Sequence, residues 1–320
     1  MKKTSMLRAR IFKVYFFGIL TWIILAVLSL KYGVIADADT EVIIELRLPR
    51  ILLATAVGAG LSVAGAVLQA LFSNPLSEPY TLGISSGAAV GAVFGTTLGL
   101  EWVVAGLAGT AFCGALVFTL LLYLVSIRPG ITAVTFLLAG VMLSFFGSSL
   151  VALWMALSDS NGIQGAMQWL LGDLSRARLS GAWFLFSGVF ILSFILLSRW
   201  RELDALLIGE EAAITMGVPV PTVRRRLILL VSLLVGLCVS AAGMIGFVGL
   251  VVPHAVRRFV GSLHLRLLPL AGLWGAVAVT AADFVSRMFT QPYELPVGVV
   301  TALLGAPVFL WIILSRQKVA

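Results

Sequence analysis

From Ile11 almost to the C-terminus the chain runs in continuous apolar stretches of about 20 residues, separated by short polar breaks. That is the length a helix needs to cross a hydrocarbon layer about 30 Å thick. The runs do not alternate apolar with polar positions, so spanning helices are predicted and a barrel is not. Nine stretches are strong, at roughly 12–30, 48–72, 81–99, 102–126, 131–157, 181–198, 226–245, 267–289 and 296–315. A tenth, "GFVGLVVPHAVRRFVG" from Gly246, is short and is broken by Pro253, so hydropathy leaves its crossing open. The first stretch follows the basic "MKKTSMLRARIFK" and meets no small-residue cleavage pattern before Lys31, which predicts a retained span rather than a signal peptide.

Charge bias decides the open case. If the tenth stretch crosses, Lys2, Lys3, Arg8, Arg10, Lys13, Arg128, Arg199, Arg201, Arg224, Arg225, Arg226, Arg257, Arg258, Arg266, Arg316 and Lys318 fall on one side. Only Lys31, Arg47, Arg50, Arg176, Arg178 and Arg287 remain on the other, the asymmetry that places the basic side in the cytoplasm. Ten spans with both termini cytoplasmic are therefore expected.

Composition agrees. With 60% hydrophobic and 11% charged residues among 320, and a mean hydropathy of +1.09, there is too little polar surface to cover a water-soluble globule. The net charge of +8 would suggest nucleic acid in a soluble protein, but here the basic residues lie in short loops and report orientation, so no nucleic-acid partner is implied. Cys113 and Cys238 stand singly in apolar stretches and read as small buried hydrophobes. A shift of 178 positions superposes Gly58 on Gly236, Ser62 on Ser240, Ala64 on Ala242, Gly65 on Gly243 and Pro75 on Pro253. An inverted repeat of transporter type would produce this echo, and so would chance recurrence of small residues in a glycine-rich membrane chain.

One charged passage, "LDALLIGEEAAITMGVPVPTVRRR" from Leu203, interrupts the hydrocarbon and falls on the cytoplasmic side. Short helices are predicted there: Glu210 and Glu211 suit a first turn, and Gly217 with Pro219 supplies a stop. An apolar and acidic helix without a basic face suits a protein groove better than anionic headgroups. The chain also has no G-x-x-x-x-G-K-[ST] loop to cradle ATP, and no His/Asp/Glu cluster or activated nucleophile, so it is not read as an enzyme. Asp283 lies in an apolar stretch near its outer end with no obvious partner, which argues against a proton relay.

The words "EAAITMG" resemble the EAA-x-x-x-G signature of ATP-binding-cassette importer permeases. Three longer segments, "LRLPRILLATAVGAGLSVAGAVLQALFSNPLSEPYTLGISSGAAVGA" from Leu46, "AAGMIGFVGLVVPHAVRR" from Ala241 and "ELPVGVVTALLGAPVFLWIIL" from Glu294, are similar to the type II importer permeases for vitamin B12, ferric siderophores and haem. The resemblance runs from the second span to the C-terminus. It implies an all-α, polytopic, homodimeric permease with inverted-repeat halves: one transmembrane domain over residues 1–320 with coupling helices at 200–222, in the bacterial inner membrane. It further implies two ATPase subunits below, which hold the ATP and Mg, a periplasmic substrate-binding protein above, and a bulky metal chelate as cargo. This chain itself would bind no cofactor and no metal.

The same resemblance assigns roles. Glu210, Glu211, Ala212, Ala213 and Gly217 would couple to the ATPase; Arg47, Arg50 and Arg287 would receive glutamates of the binding protein, the alternative being interfacial snorkelling. Asn74, Pro75 and Leu76, with Thr132 opposite, would close a cytoplasmic gate, and the fifth span would line the pathway with Thr135, Ser144, Ser148 and Ser149. Those hydroxyls can equally bond back to their own helix. His254 lies in a "VVPH" context shared by the family regardless of cargo, and His264 reads as a solvated loop residue. "AMQWLLGDL" predicts a short outer-surface helix with Trp169 at the interface. A secondary carrier driven by an ion gradient is the rival reading; it requires no ATPase, and the two differ in whether transport stops when nucleotide is withheld.

Overall fold

The computed structural model describes residues 2–33, 39–100, 106–128, 130–158, 160–289 and 293–317. Among them every regular element is helical and none is a strand. In chain order the helices are α1 (Lys2–Lys31), α2 (Thr40–Val42), a wide turn of π type (Ile43–Arg47) leading directly into α3 (Leu48–Leu71), α4 (Ile84–Thr97), α5 (Gly106–Ser126), α6 (Ala133–Leu157) and α7 (Ser160–Leu170). There follow α8 (Leu179–Ser198), α9 (Trp200–Ile208), α10 (Glu210–Thr215), α11 (Val220–Ala242), α12 (Val248–Val260), α13 (His264–Met288) and α14 (Val297–Gln317).

Among the described residues seven of these are long and apolar enough to cross a membrane, α4 is a shorter apolar helix, and α14 is apolar over Val297–Ile312. Residues 102–105 of the expected fourth span, and Lys318, lie outside the described residues. α3 is the axis of the bundle: 83% of its most apolar window is buried, against 6% for α1, which packs on the outside against α13. Small residues let neighbours approach α3 to backbone contact. A Cβ on Gly58 would meet the Gly275 carbonyl of α13, and one on Gly65 would meet the Gly249 carbonyl of α12. One pair of the sequence echo is used differently, since Gly65 lies mid-helix whereas Gly243 ends α11 at φ 67°.

The doubtful stretch is a helix after all. α12 runs through Pro253 without a break, but its 13 residues extend only about 20 Å at 1.5 Å per residue, less than a bilayer core. It is preceded by non-helical chain, residues 243–247, in which Phe247 holds the left-handed conformation at φ 67°. Non-helical backbone within a membrane must be covered by protein. Here the Ile245 amide donates to the Tyr80 hydroxyl at 2.5 Å, Phe247 packs on Gly305, and the backbone amide of Asp173 donates to the Ala242 carbonyl at 2.9 Å.

Candidate functional site

The charged passage forms α9 and α10, joined at Gly209 (φ 131°) and ended at Gly217 (φ 81°), two positions where the backbone adopts angles that favour glycine. Glu210 and Glu211 open α10, and Ala213 is fully buried beneath it. Ile208, Ile214 and Met216 stand on the surface at 66%, 55% and 58% exposure, an apolar patch beside the exposed Glu211.

Polar bonds fasten this platform to the bundle. The Ser73 hydroxyl, next to Asn74, donates to the Leu206 carbonyl at 3.0 Å. Asp204 Oδ1 accepts the His264 backbone amide at 2.8 Å and lies 2.6 Å from His264 Nδ1. His264 is thus fully buried at the start of α13, not solvated: its imidazole and its amide serve one carboxylate. Arg224 on α11 pairs with Glu210 at 2.5 Å and donates to the Ile131 carbonyl at 3.3 Å.

The expected gate residues stand beside these bonds. Asn74 Oδ1 accepts the Leu76 amide at 2.9 Å in a tight turn, while Pro75 and Leu76 are exposed. Burial pushes the carboxyl of Glu78, at the end of the same loop, above its ordinary value. Thr132 caps α6, its hydroxyl accepting the Thr135 amide at 3.2 Å and lying 3.0 Å from the Thr135 hydroxyl.

Along α6, Ser144 is turned inward, donating to the Tyr80 and Gly140 carbonyls at 3.3 and 3.1 Å, whereas Thr135, Ser148 and Ser149 are exposed on the chain surface. They share that surface with Met142, Phe145 and Phe146.

At the opposite end, the three arginines expected to meet a binding protein are buried and engaged within the chain. Arg50 donates to Asp283 at 2.6 Å and to Glu294 at 2.7 Å; Arg287 Nη2 lies 3.1 Å from Asp283; Arg47 donates to the Leu30 carbonyl at 2.6 Å. Asp283 therefore has partners on two helices, one of them Arg50, 233 positions away along the chain. Two further readings change. Cys113 is exposed on α5, Cys238 alone being buried, and Trp169 is buried beneath α7 rather than at an interface. His254 is buried and meets the Phe309 ring edge-on. Among the described residues no group of three metal-ligating side chains gathers.

The model of the FecCD transport family matches residues 9–315. The chain belongs to that family. Among similar FecCD-type proteins, the cobalamin import system permease protein of Halobacterium salinarum is 42% identical over 289 residues, covering 90% of this chain and 77% of that protein. The hemin transport system permease protein of Yersinia pestis is 37% identical over 287 residues, covering 88% and 86%. A solved structure described as an inward-facing conformation of a metal-chelate type ABC transporter superposes with a TM-score of 0.87 at 34% identity, covering 95% of this chain and 99% of that one.

Within this FecCD fold, Ser73, Asp204, His264 and Arg224 escape a reading by motif. Arg224 registers in the sequence only as one of three consecutive cations that report orientation, and Asp204 as one acid in an amphipathic helix. Their pairing depends on helix ends that are distant in sequence.

Proposed function

We propose that the chain is the transmembrane permease subunit of an ATP-binding-cassette importer that passes a bulky metal chelate, a corrinoid, haem or ferric siderophore, from periplasm to cytoplasm by alternating access. Two copies would enclose the pathway, each crossing the bacterial inner membrane ten times with both ends in the cytoplasm. Two ATPase subunits supply the energy with their own ATP and Mg, and a periplasmic binding protein selects the cargo. Arg47, Arg50 and Arg287 would receive that protein, Asn74, Pro75, Leu76 and Thr132 would guard the inner exit, and the exposed face of α6, with Thr135, Ser148 and Ser149, would line the route.

The observation that carries this reading is the platform of α9 and α10. Its apolar residues Ile208, Ile214 and Met216 protrude beside an acidic first turn, on the side where the arginine bias places the cytoplasm, and Glu210 to Gly217 is the passage expected to dock.

The test is reconstitution of the permease with its ATPase and binding protein in vesicles. ATP hydrolysis is measured with binding protein charged in turn with cobalamin, haem and a ferric siderophore. Hydrolysis stimulated by one charged form, and uptake that stops without nucleotide, is the expected result. Uptake that continues without nucleotide and follows an imposed ion gradient refutes it.

A further inference from the structure

We propose that Arg224 is the strut through which α10 acts on the inner end of α6, a positioning residue for coupling rather than a routine ion pair. This rests on the permease reading above.

Arg224 lies in the opening turns of α11, directly after the Pro219–Pro221 segment, and is 6% exposed. Its guanidinium is forked between two elements. Nη2 holds the Glu210 carboxylate that opens α10, and Nη1 donates to the carbonyl of Ile131, the residue before the Thr132 cap of α6. Between these elements lies an open cleft of about 470 Å³, lined among others by Arg128, Thr132, Phe136, Glu210 and Arg225. α10 packs chiefly on α9 and α11, so the cleft separates it from α6, and Arg224 bridges the gap.

The chemistry explains why arginine stands here. Guanidinium is planar and rigid, so its two arms keep a fixed angle, and a displacement of the carboxylate on one arm re-aims the other. An ammonium would satisfy either oxygen without transmitting direction. Nε of Arg224 is buried and makes no hydrogen bond in this arrangement, so the two Nη arms carry all of its bonding. The remaining fastenings belong to α9: Ser73 to Leu206 reaches α3, and Asp204 to His264 reaches α13. From the acidic helix itself, the Glu210–Arg224–Ile131 line runs toward α6.

The experiment compares wild type, Arg224→Lys and the exchange of Glu210→Arg with Arg224→Glu, each assembled with ATPase and binding protein in vesicles. The readout is cargo moved per ATP hydrolysed. Arg224→Lys is expected to retain the ATPase on co-purification but to lower that ratio by about tenfold, the scale of one charge-assisted hydrogen bond. The exchange restores opposite charges, yet a glutamate at 224 cannot donate to the Ile131 carbonyl, so the ratio stays low. A wild-type ratio in Arg224→Lys, or its recovery in the exchange, overturns the proposal. Spin labels at Thr132→Cys and Met216→Cys, in a chain with Cys113→Ala and Arg224 kept, provide a second measurement independent of how the variants fold. Their separation is expected to stay constant on ATP binding while both move relative to a label at Leu121→Cys. A separation that changes freely overturns the strut. Failure of the permease reading looks different, since the wild-type chain would then neither bind an ATPase nor depend on nucleotide.

Discussion

At Asp283 two guanidiniums share one carboxylate that is 1% exposed, and Arg50 reaches past it to Glu294, whose side chain is 35% exposed. The two acids differ in consequence. Removing a partner from a buried ion pair leaves an uncompensated charge and costs about 3–5 kcal/mol, whereas a partly solvated pair is worth about 1 kcal/mol or less. Asp283→Ala is therefore expected to lower the thermal unfolding midpoint of the purified protein strongly, and Glu294→Gln to leave it near that of wild type. Equal midpoints for the two variants would show that the buried carboxylate is not what holds the arginines. Under the docking proposal Glu294 occupies the guanidinium that an incoming glutamate would need, so the same Glu294→Gln protein is expected to hold its binding protein more tightly at low salt. The sequence displays these cations as outer-end charges and hides their partners, because nothing local to Arg50 points to a carboxylate 233 positions away.

Helix by helix, hydropathy locates most of the bundle, since a span must bring its own apolar length. It succeeds for α5, α6 and α8, whose apolar windows match whole helices. It falters where packing replaces length. α12 is 13 residues long with Arg257 and Arg258 in its last turn, and its place beside α3 depends on Gly65 and Gly249 meeting at backbone distance. α11 begins at Val220, earlier than the apolar run suggests, because Pro219 ends the preceding loop and the helix carries its arginines inside its first turns. The crossing of α3 with α13 tests this logic. Gly58→Val would drive branched carbon into the Gly275 carbonyl, and such overpacking costs about 1–3 kcal/mol or more. A clear fall in unfolding midpoint is expected, with no comparable fall for Gly109→Val, where nothing lies within 4 Å of an added Cβ.

For the molecule as a whole, the face that α6 leaves uncovered separates a pathway from a lipid boundary. Ser148 is exposed there among Met142, Phe145 and Phe146. In a protein with Cys113→Ala, leaving Cys238 buried, Ser148→Cys in the transporter as proposed above is expected to react with a charged thiol reagent that ignores Phe190→Cys on α8. If only a lipid-soluble reagent reaches Ser148→Cys, the face belongs to the hydrocarbon. The tying of the platform has its own outcome. Ser73, His264 and Arg224 fasten α9 and α10 near the C-terminal end of α3 and the N-terminal ends of α13 and α11, with Arg224 reaching on to Ile131 before α6. If the α9–α10 platform is pushed as the permease proposal requires, bonds to three separate helices would pass the displacement to several parts of the bundle at once, as a lever shares a load.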